Sequence, residues 1–124
     1  MACILIIDDE EELRRIMRDA LEKQGHDVLE AGNGTDALDL AEQHPLDLIV
    51  TDIMMPETDG IETIIALRRK DPKIRIIAVS GGGPIGDSNY LTLAEKFGAM
   101  QVLAKPFRRQ QFVDAVCEVL ATDA

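Results

Sequence analysis

Asp47-Leu48-Ile49-Val50-Thr51-Asp52-Ile53-Met54-Met55-Pro56-Glu57-Thr58-Asp59-Gly60 decides the reading of this chain. Leu48, Ile49 and Val50 form a short apolar run, the pattern of a strand covered on both faces. The run closes on the carboxylate of Asp52, and Pro56 with Asp59-Gly60 forces a turn before a new apolar pattern starts at Ile61. An acid carried just past the end of a buried strand is held rigidly yet open to solvent. One such acid is usually a solvated loop residue, so its meaning depends on how the other strands end.

Cys3 to Ile7 is apolar and β-branched and closes on Asp8-Asp9-Glu10. Leu13, Ile16, Met17, Ala20 and Leu21 follow at helical spacing, with Gly25 as the stop. Val28 to Ala31 is a second strand, and Ala37, Leu38 and Ala41 outline a helix that must end before Pro45. The helix after the third strand carries Ile61, Ile64, Ile65 and Leu67 and stops near Asp71-Pro72. Ile74 to Val79 is the fourth strand and runs into Ser80 and Gly81-Gly82-Gly83. Tyr90, Leu91, Ala94 and Phe97 mark a fourth helix, Met100 to Ala104 a fifth strand ending in Lys105-Pro106-Phe107. Phe112, Val113, Val116, Val119 and Leu120 mark an amphipathic fifth helix, and Arg108 stands where its cap is expected without an evident reason.

Strands alternating with helices argue for a parallel α/β sheet covered on both faces, in one domain over residues 1–124. The chain is long enough for a core, with 46% hydrophobic residues, and shows neither a membrane-length apolar run nor a charged-then-apolar leader. A soluble, cytoplasmic protein is expected. The formal charge of −10 opposes binding to nucleic acid or anionic membranes and suits a cation or a basic partner. Cys3 and Cys117, with no CxxC and no close histidine, read as buried reduced thiols, and His26 and His44 as surface residues.

Right-handed crossovers bring the C-terminal ends of all parallel strands to one edge, where such sheets bind ligands. Asp8 and Asp9, Asp52, Ser80 and Lys105 then share that edge, and only the second strand contributes nothing obvious. Singly, each has a plain role: a helix cap for Asp8 or Asp9, a turn for Ser80, a solvated charge for Lys105. Together they are harder to dismiss. Converging carboxylates repel unless a cation intervenes. Mg2+ takes a few carboxylates and keeps waters that a phosphate oxygen can replace. An acidic nucleophile, a metal, a cationic Lys105 and a hydroxyl donor on Ser80 are what phosphoryl transfer to an aspartate requires, with Asp52 as nucleophile and Asp8 and Asp9 holding the metal.

Asp8-Asp9, Asp52 with Met55-Pro56 and Asp59-Gly60, Ser80, Gly98-Ala99 and Lys105-Pro106-Phe107 together resemble the receiver domains of bacterial two-component response regulators, across the whole chain. The resemblance implies a flavodoxin-like doubly wound (βα)5 fold with strand order 2-1-3-4-5. It implies phosphorylation of Asp52 by a phosphohistidine on a sensor kinase or histidine phosphotransfer protein. It further implies Mg2+ on Asp9, Asp52 and the Met54 carbonyl, with Asp8 acting through water, Ser80 and Lys105 on the phosphoryl oxygens, and a cis Lys105-Pro106 bond. The output surface implied is that of the fourth helix, fifth strand and fifth helix, facing an unknown downstream protein.

Three positions depart from that pattern. Val102 stands where many relatives carry a switching aromatic, so the signal is expected to pass through the loop after Ser80. Gly81-Gly82-Gly83 lacks the Lys-Ser/Thr of a phosphate-binding P-loop and reads as a source of backbone freedom. Met54 and Gly82 stand where relatives often orient a hydrolytic water. Competing readings are a haloacid-dehalogenase-like phosphatase, opposed by Met54 where that class needs a second acid, and a flavin carrier, opposed by 3% aromatics and the acidic edge. A receiver-like module that is never phosphorylated is the third. With no polar side chain at 54 or 82 to hold a water, slow loss of the acyl phosphate is expected. Met54→Asn with Gly82→Glu should shorten its lifetime in a dephosphorylation time course, and an unchanged lifetime would refute the assignment.

Overall fold

A computed structural model of the chain describes residues 2–52, 60–80 and 100–121. Five strands, β1 (Cys3–Ile7), β2 (Asp27–Ala31), β3 (Leu48–Asp52), β4 (Arg75–Ser80) and β5 (Gln101–Ala104), form one parallel sheet in the order β2-β1-β3-β4-β5. The described helices are α1 (Glu11–Glu22), α2 (Gly34–Gln43), α3 (Gly60–Lys70) and α4 (Arg109–Ala121), the last being the fifth helix of the sequence pattern. The expected helix over Tyr90–Phe97, the glycine run, Met54 and Asp59 lie outside the described residues. So does the side chain of Ser80, although its backbone ends β4.

Successive strand side chains point to opposite faces, and this splits the core into two. Ile4, Ile6, Val50, Ile77 and Val79 face Met17, Ala20 and Leu21 of α1 and Phe112, Val116 and Val119 of α4. Leu5, Ile7, Ile49, Ile76 and Ala78 face Ala37 of α2 and Ile64 and Leu67 of α3. A strand covered on both sides has no polar alternation to display, which is why β1 and β3 are continuous apolar runs. All five residues of β3 are buried.

Local chemistry sets the element ends. Gly25 takes φ +91°, a conformation that favours glycine, and its N–H donates to the Glu22 carbonyl just past α1. Asn33 caps α2, its side chain accepting from the Asp36 N–H at 2.8 Å. Arg68, Arg69 and Lys70 crowd the last turn of α3, where cations complement the helix dipole. Arg108 also finds its reason. The Gln111 side chain reaches back to accept from the Arg108 N–H at 2.9 Å, the glutamine half of a capping box, so the side chain at 108 need not cap.

Three expectations are corrected. Ile16 is 48% exposed at the border of the apolar face of α1 rather than within it. Cys117 is exposed on α4, on the side turned from the core, and Cys3 is only half-buried because it is the first residue of β1. His26 is half-buried, and its Nδ1 accepts from the Ala2 N–H at 3.2 Å, with burial pushing the imidazole below its ordinary range.

Phe112 is 1% exposed and stacks on Phe107 at a centroid separation of 5.8 Å. Phe112→Ala should cost about 3–5 kcal/mol in urea unfolding, since it removes both transfer energy and packing. Ile16→Ala should stay within about 0.5 kcal/mol of the wild type.

Candidate functional site

The neighbouring strands β1 and β3 end side by side, with Ile7 opposite Thr51. Asp8 therefore leaves β1 beside Asp52, the last residue of β3. β5 lies beyond β4, and Lys105, immediately after it, reaches across the end of β4. Its Nζ stands 2.9 Å from Asp8 Oδ2, 3.1 Å from Asp52 Oδ2 and 3.3 Å from Glu10 Oε1. One ammonium thus serves three carboxylates, leaving a formal excess of negative charge at a site where Asp8 and Asp52 are 0% and 3% exposed.

Every polar atom of Asp8 is engaged. Its N–H donates to the Ala31 carbonyl at 3.1 Å, and its Oδ1 accepts from the Glu10 N–H at 2.8 Å. Its carbonyl accepts from Arg14 Nη1 at 2.6 Å. Burial nevertheless dominates and raises the Asp8 carboxyl above the usual aspartate range, against the opposing pull of the Glu10 amide and Lys105. Burial alone would depress Lys105, but the hydrogen bond to Asp8 and the charges of Asp52 and Asp8 outweigh it and hold the ammonium above the ordinary lysine range.

Of the residues expected at the site, Asp8, Asp52 and Lys105 converge. Asp9 lies in the same loop and is exposed. Ser80 is placed by its backbone at the adjacent strand end, opposite Ala104, and Met54 lies outside the described residues. The Lys105-Pro106 peptide is cis. Neither Asp8 nor Asp9 caps α1; its N-cap position is Glu10, with no side-chain cap, and Asp8 instead braces the loop through the Glu10 amide.

Three contributors escaped the sequence pattern. Glu10 supplies the third carboxylate; its only signal was its place in the acidic triplet. Arg14, one turn into α1, binds the Asp8 carbonyl. Glu30, from the strand judged silent, binds Arg14 Nε at 2.9 Å and Arg18 Nη1 at 2.7 Å. Burial pushes Glu30 up, yet its hydrogen bonds with Arg18 and Arg14 prevail and hold it below the ordinary glutamate range.

One oxygen from each of Asp8, Glu10 and Asp52 falls within 4.8 Å of the others. An all-oxygen carboxylate set with surplus negative charge, partly buried, fits a hard divalent cation such as Mg2+.

Comparison with known proteins agrees with this geometry. A family model described as response regulator receiver domain matches residues 4–117. The chemotaxis protein CheY of Bacillus subtilis is 35% identical over 118 residues, 94% of this chain and 96% of that protein. Sporulation initiation phosphotransferase F of the same organism is 32% identical, over 94% of this chain and 92% of that one. The crystal structure of a response regulator receiver domain protein from Clostridium thermocellum superposes with a TM-score of 0.87 at 30% identity, covering 97% of this chain and 94% of that one.

Because the folded-state Asp8 carboxyl lies above its unfolded value, its ionisation costs stability at neutral pH, and the cost fades as the pH falls through the raised folded value and is gone below the unfolded aspartate range. Asp8→Asn keeps an acceptor for the Glu10 amide and should raise the metal-free melting midpoint at pH 7. The gain should shrink on acidification. Added Mg2+ should stabilise the wild type more than the variant in the same thermal scans.

Proposed function

The chain belongs to the receiver-domain family of two-component response regulators, whose role is to accept a phosphoryl group, and on that premise we propose that Asp52 is the phosphoacceptor of this protein. The observation that carries the assignment is the convergence of Asp52, Asp8 and Lys105 at the C-terminal edge of the sheet. Asp52 is fixed by a strand buried along its whole length, so its carboxylate needs little reorganisation to meet an incoming phosphorus.

In the proposed reaction a carboxylate oxygen of Asp52 attacks the phosphorus of a phosphohistidine on a sensor kinase or histidine phosphotransfer protein. The new O–P bond replaces the N–P bond, and the histidine nitrogen leaves with the electron pair. Lys105, already bonded to Asp52, is placed to follow the charge as it moves onto the phosphoryl oxygens, with the Ser80 hydroxyl as a second donor. Mg2+, held by Asp9, Asp52 and the Met54 carbonyl with Asp8 acting through water, would neutralise charge on the phosphoryl group. The Glu10 carboxylate enlarges the acidic set. Beyond its own phosphorylation and slow dephosphorylation the domain turns over no substrate. Its output is a change of surface on the fourth helix of the sequence pattern, β5 and α4, read by a downstream protein in the cytoplasm. Among the described residues no helix is long and apolar enough to cross a membrane, which accords with that location.

Acetyl phosphate with Mg2+ should add one phosphoryl group to the protein by intact-mass spectrometry. Asp52→Asn should abolish the gain and Lys105→Met should slow it by about 10²-fold or more, the scale seen when a preorganised charge donor is removed. No mass gain in the folded wild type would defeat the proposal.

A further inference from the structure

The loop between β1 and α1 must present Asp8 and Asp9 together, yet Asp9 is exposed and, among the described residues, no hydrogen bond or ion pair fixes its side chain. The constraint comes from behind. Arg14 is 17% exposed and forks between two partners: Nε on Glu30 Oε1 at 2.9 Å and Nη1 on the Asp8 carbonyl at 2.6 Å. Glu30 is itself held on its other oxygen by Arg18 Nη1 at 2.7 Å. The Asp8 carbonyl belongs to the planar peptide that joins Asp8 to Asp9, so fixing that oxygen fixes the plane from which the Asp9 backbone departs. The Asp8 N–H is already pinned to Ala31 of β2. Strand β2 therefore grips the loop twice, once directly and once through the Glu30–Arg14 relay.

We infer that Arg14, oriented by Glu30, is a positioning residue for the divalent cation: it sets the Asp8–Asp9 peptide so that both acids face one ion. The inference rests on the receiver assignment and on Mg2+ as its cation. A guanidinium suits the task because its rigid fork engages a carboxylate and a carbonyl at once, which a lysine ammonium on a flexible stem does not. Arg14 meets Glu30 and the Asp8 carbonyl rather than a carboxylate of the cluster, so its effect on the cation would pass through the backbone.

The test is Mg2+ binding by titration calorimetry, together with the Mg2+ dependence of phosphorylation by acetyl phosphate, in wild type, Arg14→Gln, Arg14→Lys, Glu30→Gln and Arg15→Gln. Arg15, 73% exposed and paired with Glu11, serves as the control on the same helix. Arg14→Gln should weaken Mg2+ binding about tenfold, the lower range for residues that orient metal ligands from behind. The Mg2+ concentration for half-maximal rate should rise by the same factor, while the rate at saturating Mg2+ stays near wild type. Arg14→Lys should not restore the affinity, Glu30→Gln should weaken it in the same direction, and Arg15→Gln should leave it unchanged. Circular dichroism establishes folding; should Arg14→Gln fail to fold, Glu30→Gln, which cuts the relay at its other end, decides. Wild-type affinity in the folded variants, or a lowered saturating rate with unchanged affinity, overturns the inference. Absence of Mg2+ binding in the wild type overturns the receiver assignment of the cation instead.

Discussion

The structure turns on a crowding of like charge: three carboxylates brought within 4.8 Å of one another around the single ammonium of Lys105. Such a cluster is unfavourable for folding, because burial penalises the charges of Asp8 and Asp52 and one cation cannot match three. It persists because the sheet supplies stability elsewhere and holds the acids in place. The same excess of negative charge suits the edge to a hard divalent cation, and under the proposed function the stability given up there is recovered as affinity.

What holds the acids is the two-sided burial of β1 and β3. Each strand packs alternate residues against opposite helix layers, α1 with α4 on one face and α2 with α3 on the other. A strand gripped from both sides cannot slide or roll without exposing one core or the other. Asp8 and Asp52 are thus fixed by the apolar side chains of the strands behind them. Lys105 comes from a shorter, less buried strand, and its position is secured as much by the carboxylates it meets as by β5 itself.

Behind the acids stands a second polar layer. Arg14, Arg18 and Glu30 form a partly buried set that faces the backbone of the site instead of its chemistry. Arg18 also pairs with Glu22, so the two guanidinium charges meet two carboxylates and the layer is balanced, unlike the acids in front. It adds rigidity without adding to the charge imbalance. This gives β2, which places no side chain at the edge, a structural share in the site.

The strands, their order of appearance and the acids at their ends were legible in the sequence. Continuous apolar runs closed by Asp or Lys, in a chain of this length, fit buried strands that deliver charge to one edge and little else. Helix stops at Gly25 and Pro45 were legible for the same local reason. Resemblance to a family, not periodicity, supplied the strand order and the cis peptide at Pro106. Tertiary structure alone decided that Glu10 joins the cluster, that Glu30 of the apparently silent strand reaches Arg14, and that Ile16 and Cys117 turn outward. Those outcomes depend on where one element lies against another, and a one-dimensional pattern encodes which face is apolar but not which neighbour that face will meet.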